Sequence, residues 1–309
     1  MSEVEVSWQQ LRLIVLEWAG PDLELDEVMP LCGGAINTTL GLKTKCGKKC
    51  VLKITPHRVD RSYEDESQQL VLLGEAGVPV PKIYQLQTGS LEKPFSYLLM
   101  EFVEGVDLNA ARSQCAPEQF DQLQEHLAEL VLLMHEMRSP HCMRVSAAEP
   151  KRYDHWPEFF HDVYDPIWKD VEKSDVLPVK SRKLMSKIHN SLDRLVHHDE
   201  GARLMHGDLW GTNILAKPDD AGRWRVSAIL DPHCKYGHTE EELAYLELFH
   251  TVTPAFMRTY QQSRKLDPEY FRVRRQVYQL YSLLDHVHLF GQEYLAKMLP
   301  MLDRVGAMV

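Results

Sequence analysis

The run His206-Gly207-Asp208-Leu209-Trp210-Gly211-Thr212-Asn213, followed after one alternating apolar stretch by Asp231-Pro232, holds the residue types most able to do chemistry. Asp208 supplies a carboxylate able to take a hydroxyl proton. Asn213 and Asp231 supply an amide and a carboxylate oxygen, the hard donors that Mg2+ prefers. Together they form the working half of a phosphoryl-transfer site. Singly, each suits a turn, since Asp and Asn are common turn formers. The order and combination favour chemistry.

Two further pieces lie upstream. Gly33-Gly34-Ala35-Ile36-Asn37 reads as a turn between strands, where missing side chains let backbone amides approach phosphate oxygens. No Gly-x-x-x-x-Gly-Lys-[Ser/Thr] run exists, so this is not a Walker-type loop. Lys53 stands in the apolar stretch Val51-Leu52-Lys53-Ile54 and must reach solvent or meet a negative partner, because an unpaired buried ammonium is costly. Glu66, one turn before Leu70 on the inner face of the next helix, is the favoured carboxylate. Glu64 competes with it, and Glu64-Asp65-Glu66 also suits a solvated acidic face.

The elements that must position these groups divide into a strand-rich first third and a helix-rich remainder. Helical spacing of Trp8, Leu11, Ile14, Val15 and Trp18 ends at Gly20-Pro21. Strands are expected over 25–31, 38–44 and 50–55, with a hairpin at Cys46-Gly47-Lys48. A helix over 61–76 and a buried strand at 97–100 follow. Beyond Gly105 the pattern predicts helices over 118–137, 156–172, 180–197 and long stretches from Glu240 onward. The stretch from Trp224 to Leu230 alternates as a strand and delivers Asp231 to its end. Segment 138–154 is expected to be a loop, and the break near residue 104 divides the chain into 1–103 and 104–309.

Composition narrows the class. The chain has 309 residues, 44% hydrophobic and 26% charged, enough for one large domain or two lobes. A net charge of −10 argues against nucleic acid as the main partner and is compatible with an amine-bearing substrate. The acidic start lacks a signal-peptide pattern and no apolar run is long enough to span a bilayer, so no membrane role and a cytoplasmic location are expected. Six scattered cysteines suit reduced thiols, and Cys46 and Cys50 lack a second ligand pair at zinc-site spacing.

The Gly-Gly turn, strand lysine, helix glutamate, His-Gly-Asp with a following Asn, and later Asp resemble the protein-kinase-like fold and its small-molecule branch of aminoglycoside and choline phosphotransferases. His206-Gly207-Asp208-Leu209-Trp210 with Asn213, Asp231-Pro232, Tyr236-Gly237-His238 and Glu242-Leu243-Ala244 resembles the signature of the fructosamine-3-kinase (ketosamine-3-kinase) family. Trp156-Pro157-Glu158-Phe159-Phe160, Tyr278-Gln279-Leu280, His286, Phe290-Gly291 and Tyr294 extend the likeness over nearly the whole chain.

The resemblance implies an α+β, bilobal architecture, an antiparallel-sheet lobe at the N-terminus and a larger, mainly helical lobe after it. It implies ATP and Mg2+ as cofactors. Gly33, Gly34, Ala35, Ile36 and Asn37 would cover the ATP phosphates, and Lys53 would contact them and pair with Glu66. Met100, Glu101, Phe102 and Val103 would form the hinge that holds adenine. Asp208 would orient and deprotonate the acceptor hydroxyl, while Asn213 and Asp231 would hold the metal. Trp210 is placed to stack on a sugar-amine, or is a core anchor; His286 and His288 would line the same pocket, or simply pack. The acceptor implied is a small-molecule sugar-amine, glycated amino acids or proteins included, with a deglycation or salvage role.

The chain departs from the family pattern in two places. Ala35 stands where many members carry a cysteine, so a regulatory thiol is not supported there. Segment 138–154 is short and lacks the Phe-Gly pair and Asn-containing stretch usual before the Trp-x-x-Phe-Phe element, which leaves the particular ketosamine open. Another small-molecule kinase, acting on an aminoglycoside or amino alcohol, is the alternative, and a non-catalytic nucleotide-binding protein a third. A peptide-directed kinase is disfavoured, because too few residues separate Asp231 from the helix near Thr239 to hold a long activation segment.

Overall fold

In the computed structural model the described residues are 6–21, 23–31, 38–56, 62–89, 95–198 and 200–309. Chain order begins α1 (Trp8–Ala19), β1 (Leu25–Pro30), β2 (Thr38–Thr44), β3 (Lys49–Pro56), α2 (Ser62–Glu75), β4 (Ile83–Gln87), β5 (Phe95–Glu101), β6 (Val106–Asp107), α3 (Leu108–Gln114) and α4 (Pro117–Glu136). It continues with β7 (Arg138–Ser139), β8 (Met143–Arg144), α5 (Trp156–Lys173), α6 (Val179–His189), α7 (Leu192–Leu195), β9 (Ala202–Met205), β10 (Ile214–Pro218) and β11 (Trp224–Ile229). The last elements are β12 (Lys235–Gly237), α8 (Thr239–Leu248), α9 (Pro254–Ser263), α10 (Arg275–Phe290) and α11 (Leu295–Gly306). No helix among the described residues is long and apolar enough to cross a membrane.

Two compact units emerge, and each is discontinuous in sequence. The first comprises Met1–Gln114, Ser146–Glu149 and Thr212–Pro232; the second comprises Cys115–Val145, Pro150–Gly211 and His233–Val309. A single break near residue 104 does not describe this division, for a physical reason. The β10–β11 hairpin pairs antiparallel with β6, Leu215 opposite Asp107, and this hydrogen bonding carries a late segment into the first unit.

The first unit is organised around an antiparallel sheet of order β1-β2-β3-β5-β4. Strand side chains alternate between faces, and the sequence of β3 obeys that period. Leu52 and Ile54 are fully buried in a cluster with Leu11, Ile14 and Val15 of α1 and Leu99 of β5. Val51 belongs to the opposite cluster, with Leu98, Met100 and the α2 residues Tyr63 and Leu70. Lys53 shares the parity of Val51, so the strand aims it toward the α2 side. The capping box of Ser7 and Gln10 starts α1 and satisfies amides that its first turn leaves open.

The second unit holds the sheet β7-β9-β12-β8 among helices. Segment 138–154, expected as a loop, contributes β7 and β8, two-residue strands too short for periodicity to reveal. The helix expected over 180–197 is interrupted: Asn190 caps α6 and a separate turn, α7, follows. Trp156 and Phe160 of α5 pack with Tyr278 and Tyr281 of α10, and Phe159 packs on Trp156, each ring buried. Burial of each such ring stabilises by about 1.5–3 kcal/mol. Gly237 lies under the Trp156 ring so closely that a Cβ there would overlap it. His238 Nδ1 lies 2.8 Å from the Tyr278 hydroxyl, and Trp156 Nε1 donates to that same hydroxyl at 3.0 Å.

Candidate active site

Within the first unit, Lys53 Nζ lies 2.5 Å from Glu66 Oε1 and also forms an ion pair with Asp231. Glu64 is engaged elsewhere, accepting from the Thr88 hydroxyl at 2.9 Å. Burial pulls the Lys53 ammonium down, but the two carboxylates outweigh it and hold the group above its ordinary value. Lys53 is therefore a fixed cation between two acids.

Asp231 reaches Lys53 from the end of β11. The hairpin register sets Ile214 opposite Ile229, and one step on, the Leu230 amide donates to the Asn213 carbonyl at 2.8 Å. Asn213, buried at the end of a 3-10 turn, and Asp231 thus stand at the same end of one hairpin. Asp231 has φ +54°, in the left-handed region that non-glycine residues seldom adopt. Such positions cluster at active sites and ligand clamps. Their amide and carboxylate oxygens are the donor set that magnesium accepts.

Met100 is buried on the α2 face of the sheet, and the Glu101 amide donates to the Lys82 carbonyl at 2.8 Å. Lys82 returns a bond from its own amide to Glu101 Oε2 at 3.1 Å. Phe102 and Val103 follow β5 in a half-buried stretch, with Lys49 Nζ 5.0 Å from the Phe102 ring centroid. Gly33, Gly34, Ala35, Ile36 and Asn37 lie outside the described residues.

Within the second unit, β9 leads directly into His206-Gly207-Asp208. His206 is fully buried, and its carbonyl accepts from the His233 amide at 2.8 Å. Gly207 has φ +84° with its α-carbon against the His233 carbonyl, where a Cβ would collide. Its amide donates to Glu242 Oε1 at 2.9 Å. The Asp208 amide donates to His206 Nδ1 at 3.2 Å, and Tyr245 donates its hydroxyl to Asp208 Oδ1 at 2.6 Å.

Helix α8 supports this loop twice from one face, through Glu242 and, three residues on, Tyr245. Glu242 Oε2 lies 2.9 Å from His135 Nε2, and His135 Nδ1 lies 2.8 Å from the Tyr260 hydroxyl. Burial lowers the His135 imidazole, against the opposing pull of Glu242. Burial works against ionising Glu242, yet the hydrogen bond from His135 prevails and the carboxyl sits below its ordinary value. Burial, then the Asp208 charge, drives the Tyr245 phenol far upward, so it remains a donor.

A cleft in this unit is lined by Tyr164, Lys235, Glu241, Tyr245, Asp285 and His286, among others. Tyr164 donates to Glu241 Oε1 at 3.2 Å and Lys235 Nζ lies 2.6 Å from Glu241 Oε2. Burial raises the Asp285 carboxyl, against the pull of His286, His288 and Lys235. His286 is oriented by the Ser282 carbonyl, 2.8 Å from Nδ1, and packs 4.7 Å from the Tyr294 ring. His288 is exposed and is not among the lining residues. Trp210, 39% exposed, is no core anchor and does not line this cleft either. The sequence reading missed Tyr245, Glu241 and Asp285; the spacing of Tyr245 from the noted Glu242 was the available signal.

The model of the fructosamine kinase family matches residues 7–308. The chain belongs to the fructosamine kinase family. A probable ketoamine kinase of Enterococcus faecium is 30% identical over 284 residues, covering 88% of this chain and 93% of that protein. A crystal structure provisionally assigned as a fructosamine-3-kinase of Thermobifida fusca superposes with a TM-score of 0.74 at 23% identity, covering 98% of this chain and 100% of the other. A thermostable aminoglycoside phosphotransferase variant, solved with AMP-PNP and hygromycin B, gives 0.69 at 16% identity, covering 96% and 98%. This fructosamine kinase family member therefore has the protein-kinase-like α+β fold and is a phosphotransferase with an alcohol group as acceptor.

Proposed function

We propose that this chain transfers the γ-phosphate of ATP to a sugar hydroxyl of a ketosamine of the fructosamine or ribulosamine type, which destabilises the adduct and releases its amine. The observation that carries the reading is Asp208, fixed through Oδ1 by Tyr245, whose ring lines a cleft that also holds the Asp285 carboxylate. Asp208 is the group that accepts the proton of the acceptor hydroxyl. Asp285 suits the cationic amine that a ketosamine carries, and His286, in the same cleft, suits its sugar.

The first unit does the nucleotide's work in this reading. Lys53, held by Glu66, contacts phosphate oxygens, as does the backbone of 33–37. Because the Glu101 amide is committed to Lys82, adenine is held by the remaining backbone of Met100–Val103. Asn213 and Asp231 hold Mg2+, which when bound supplies neutralising charge to the phosphates. Phosphoryl transfer asks little covalent chemistry of a protein, so positioning and charge carry the acceleration. In this reading the work is cytoplasmic, on free sugar-amines or on glycated amino acids and proteins.

A panel of acceptors tests the reading. With ATP and magnesium, ribulosyl-lysine and fructosyl-lysine are expected to turn over at least tenfold faster than aminoglycosides or choline. Turnover of hygromycin-like aminoglycosides with none on either ketosamine would overturn the acceptor class and leave the kinase activity standing.

A further inference from the structure

We propose that His161, Asp165 and His189 bind a divalent transition-metal ion of the zinc class, at a site separate from the magnesium of phosphoryl transfer. All three lie in the second unit, His161 and Asp165 one turn apart on α5 and His189 at the end of α6. Their ligand atoms fall within 4.8 Å of one another. His161 Nδ1 and His189 Nε2 converge on one atom, Asp165 Oδ1, at 2.7 and 3.0 Å. Bonds of about 2.0–2.1 Å to a tetrahedral ion set neighbouring donors about 3.3 Å apart, so small shifts would open this triangle around one.

The second nitrogen of each ring distinguishes this cluster from a casual ion pair. His161 Nε2 faces Asp193 Oδ1 at 3.3 Å, and His189 Nδ1 faces the Tyr281 hydroxyl at 2.9 Å. Each imidazole thus presents one nitrogen to the common point and gives the other to an outer partner, the arrangement that fixes metal-ligating histidines. Two imidazoles and one carboxylate select zinc-class ions over magnesium or calcium. A bound ion would tie α5 to α6, and α5 carries Tyr164, which lines the acceptor cleft.

Metal-stripped full-length protein, with accessible thiols alkylated and no nucleotide present, is titrated with Zn2+ by calorimetry and with Co2+ by visible absorption. The expected result is one Zn2+ per chain with Kd of about 10 µM or tighter, and Co2+ bands without thiolate charge transfer. His161→Gln and His189→Gln should each weaken binding roughly tenfold or more, and Asp231→Asn should leave it unchanged. His161 is less buried than His189, so its variant decides the matter if His189→Gln does not fold. No binding to the wild type, or binding undiminished in His161→Gln, overturns the proposal.

Discussion

Tyr245 and Asp208 are joined by a 2.6 Å hydrogen bond in which the phenol is the donor, and α8 carries that phenol on the same face as Glu242, the acceptor for the Gly207 amide. The carboxylate is thereby held by a group on a helix. Removing the phenol while keeping the ring should disturb chemistry more than binding. Tyr245→Phe is expected to lower kcat roughly tenfold with KM changed less than about twofold. A steady-state analysis that found the reverse split would assign Tyr245 to acceptor binding instead.

Gly207→Ala should be severe. The left-handed backbone and the His233 carbonyl both oppose a Cβ, so the loop must shift to accommodate it. A loss of about 2–4 kcal/mol in stability is expected, with activity reduced at least tenfold because Asp208 moves with its neighbour. Urea unfolding alongside initial rates checks both.

Lys53 links stability to alkaline pH. Its folded value is raised above the ordinary 10.5, so the ion pairs with Glu66 and Asp231 contribute fully below 10.5 and are lost as pH rises through the folded value. Lys53→Met should remove that alkaline limb, weaken nucleotide affinity at least tenfold, and cost about 1–3 kcal/mol at neutral pH by removing the cation between two carboxylates. Denaturation of both proteins across pH 8–12 is the comparison.

Beside the His238 imidazole, which burial also lowers, the His135–Glu242 pair shapes the acid side. Both groups have folded values depressed below their ordinary 6.5 and 4.5, so their contribution is present above those values and is lost as pH falls through the depressed ones. Stability should begin to fall below about pH 6.5 as the unfolded imidazole gains its proton first. His135→Gln is expected to remove the upper part of that decline, measured as melting temperature against pH.

Much of the site was legible because its residues announce themselves by type. An acid in a non-periodic run, an amide five residues on and a second acid after an alternating strand needed no packing information, and the parity of Lys53 with Val51 followed from strand period alone. The supports were not legible. Tyr245 reads as one more aromatic in a helix until its hydroxyl is seen on Asp208, and Asp285 as an ordinary helical acid until it lines a cleft. The Trp156, Gly237-His238 and Tyr278 elements marked the family without a stated reason; their rings and the Gly237 backbone fill one packed cluster. Short strands such as β7, β8 and β12 depend on pairing across long sequence separations, which local pattern does not encode.

The most direct test mixes ribulosyl-lysine and magnesium-ATP with wild-type and Asp208→Asn protein and follows the phosphate by 31P NMR, with nucleotide affinity measured in parallel. The wild type should form a sugar phosphomonoester, while Asp208→Asn should slow at least a hundredfold, as loss of a general base does, with nucleotide affinity within about twofold. Phosphomonoester formed at the wild-type rate by Asp208→Asn would contradict the account.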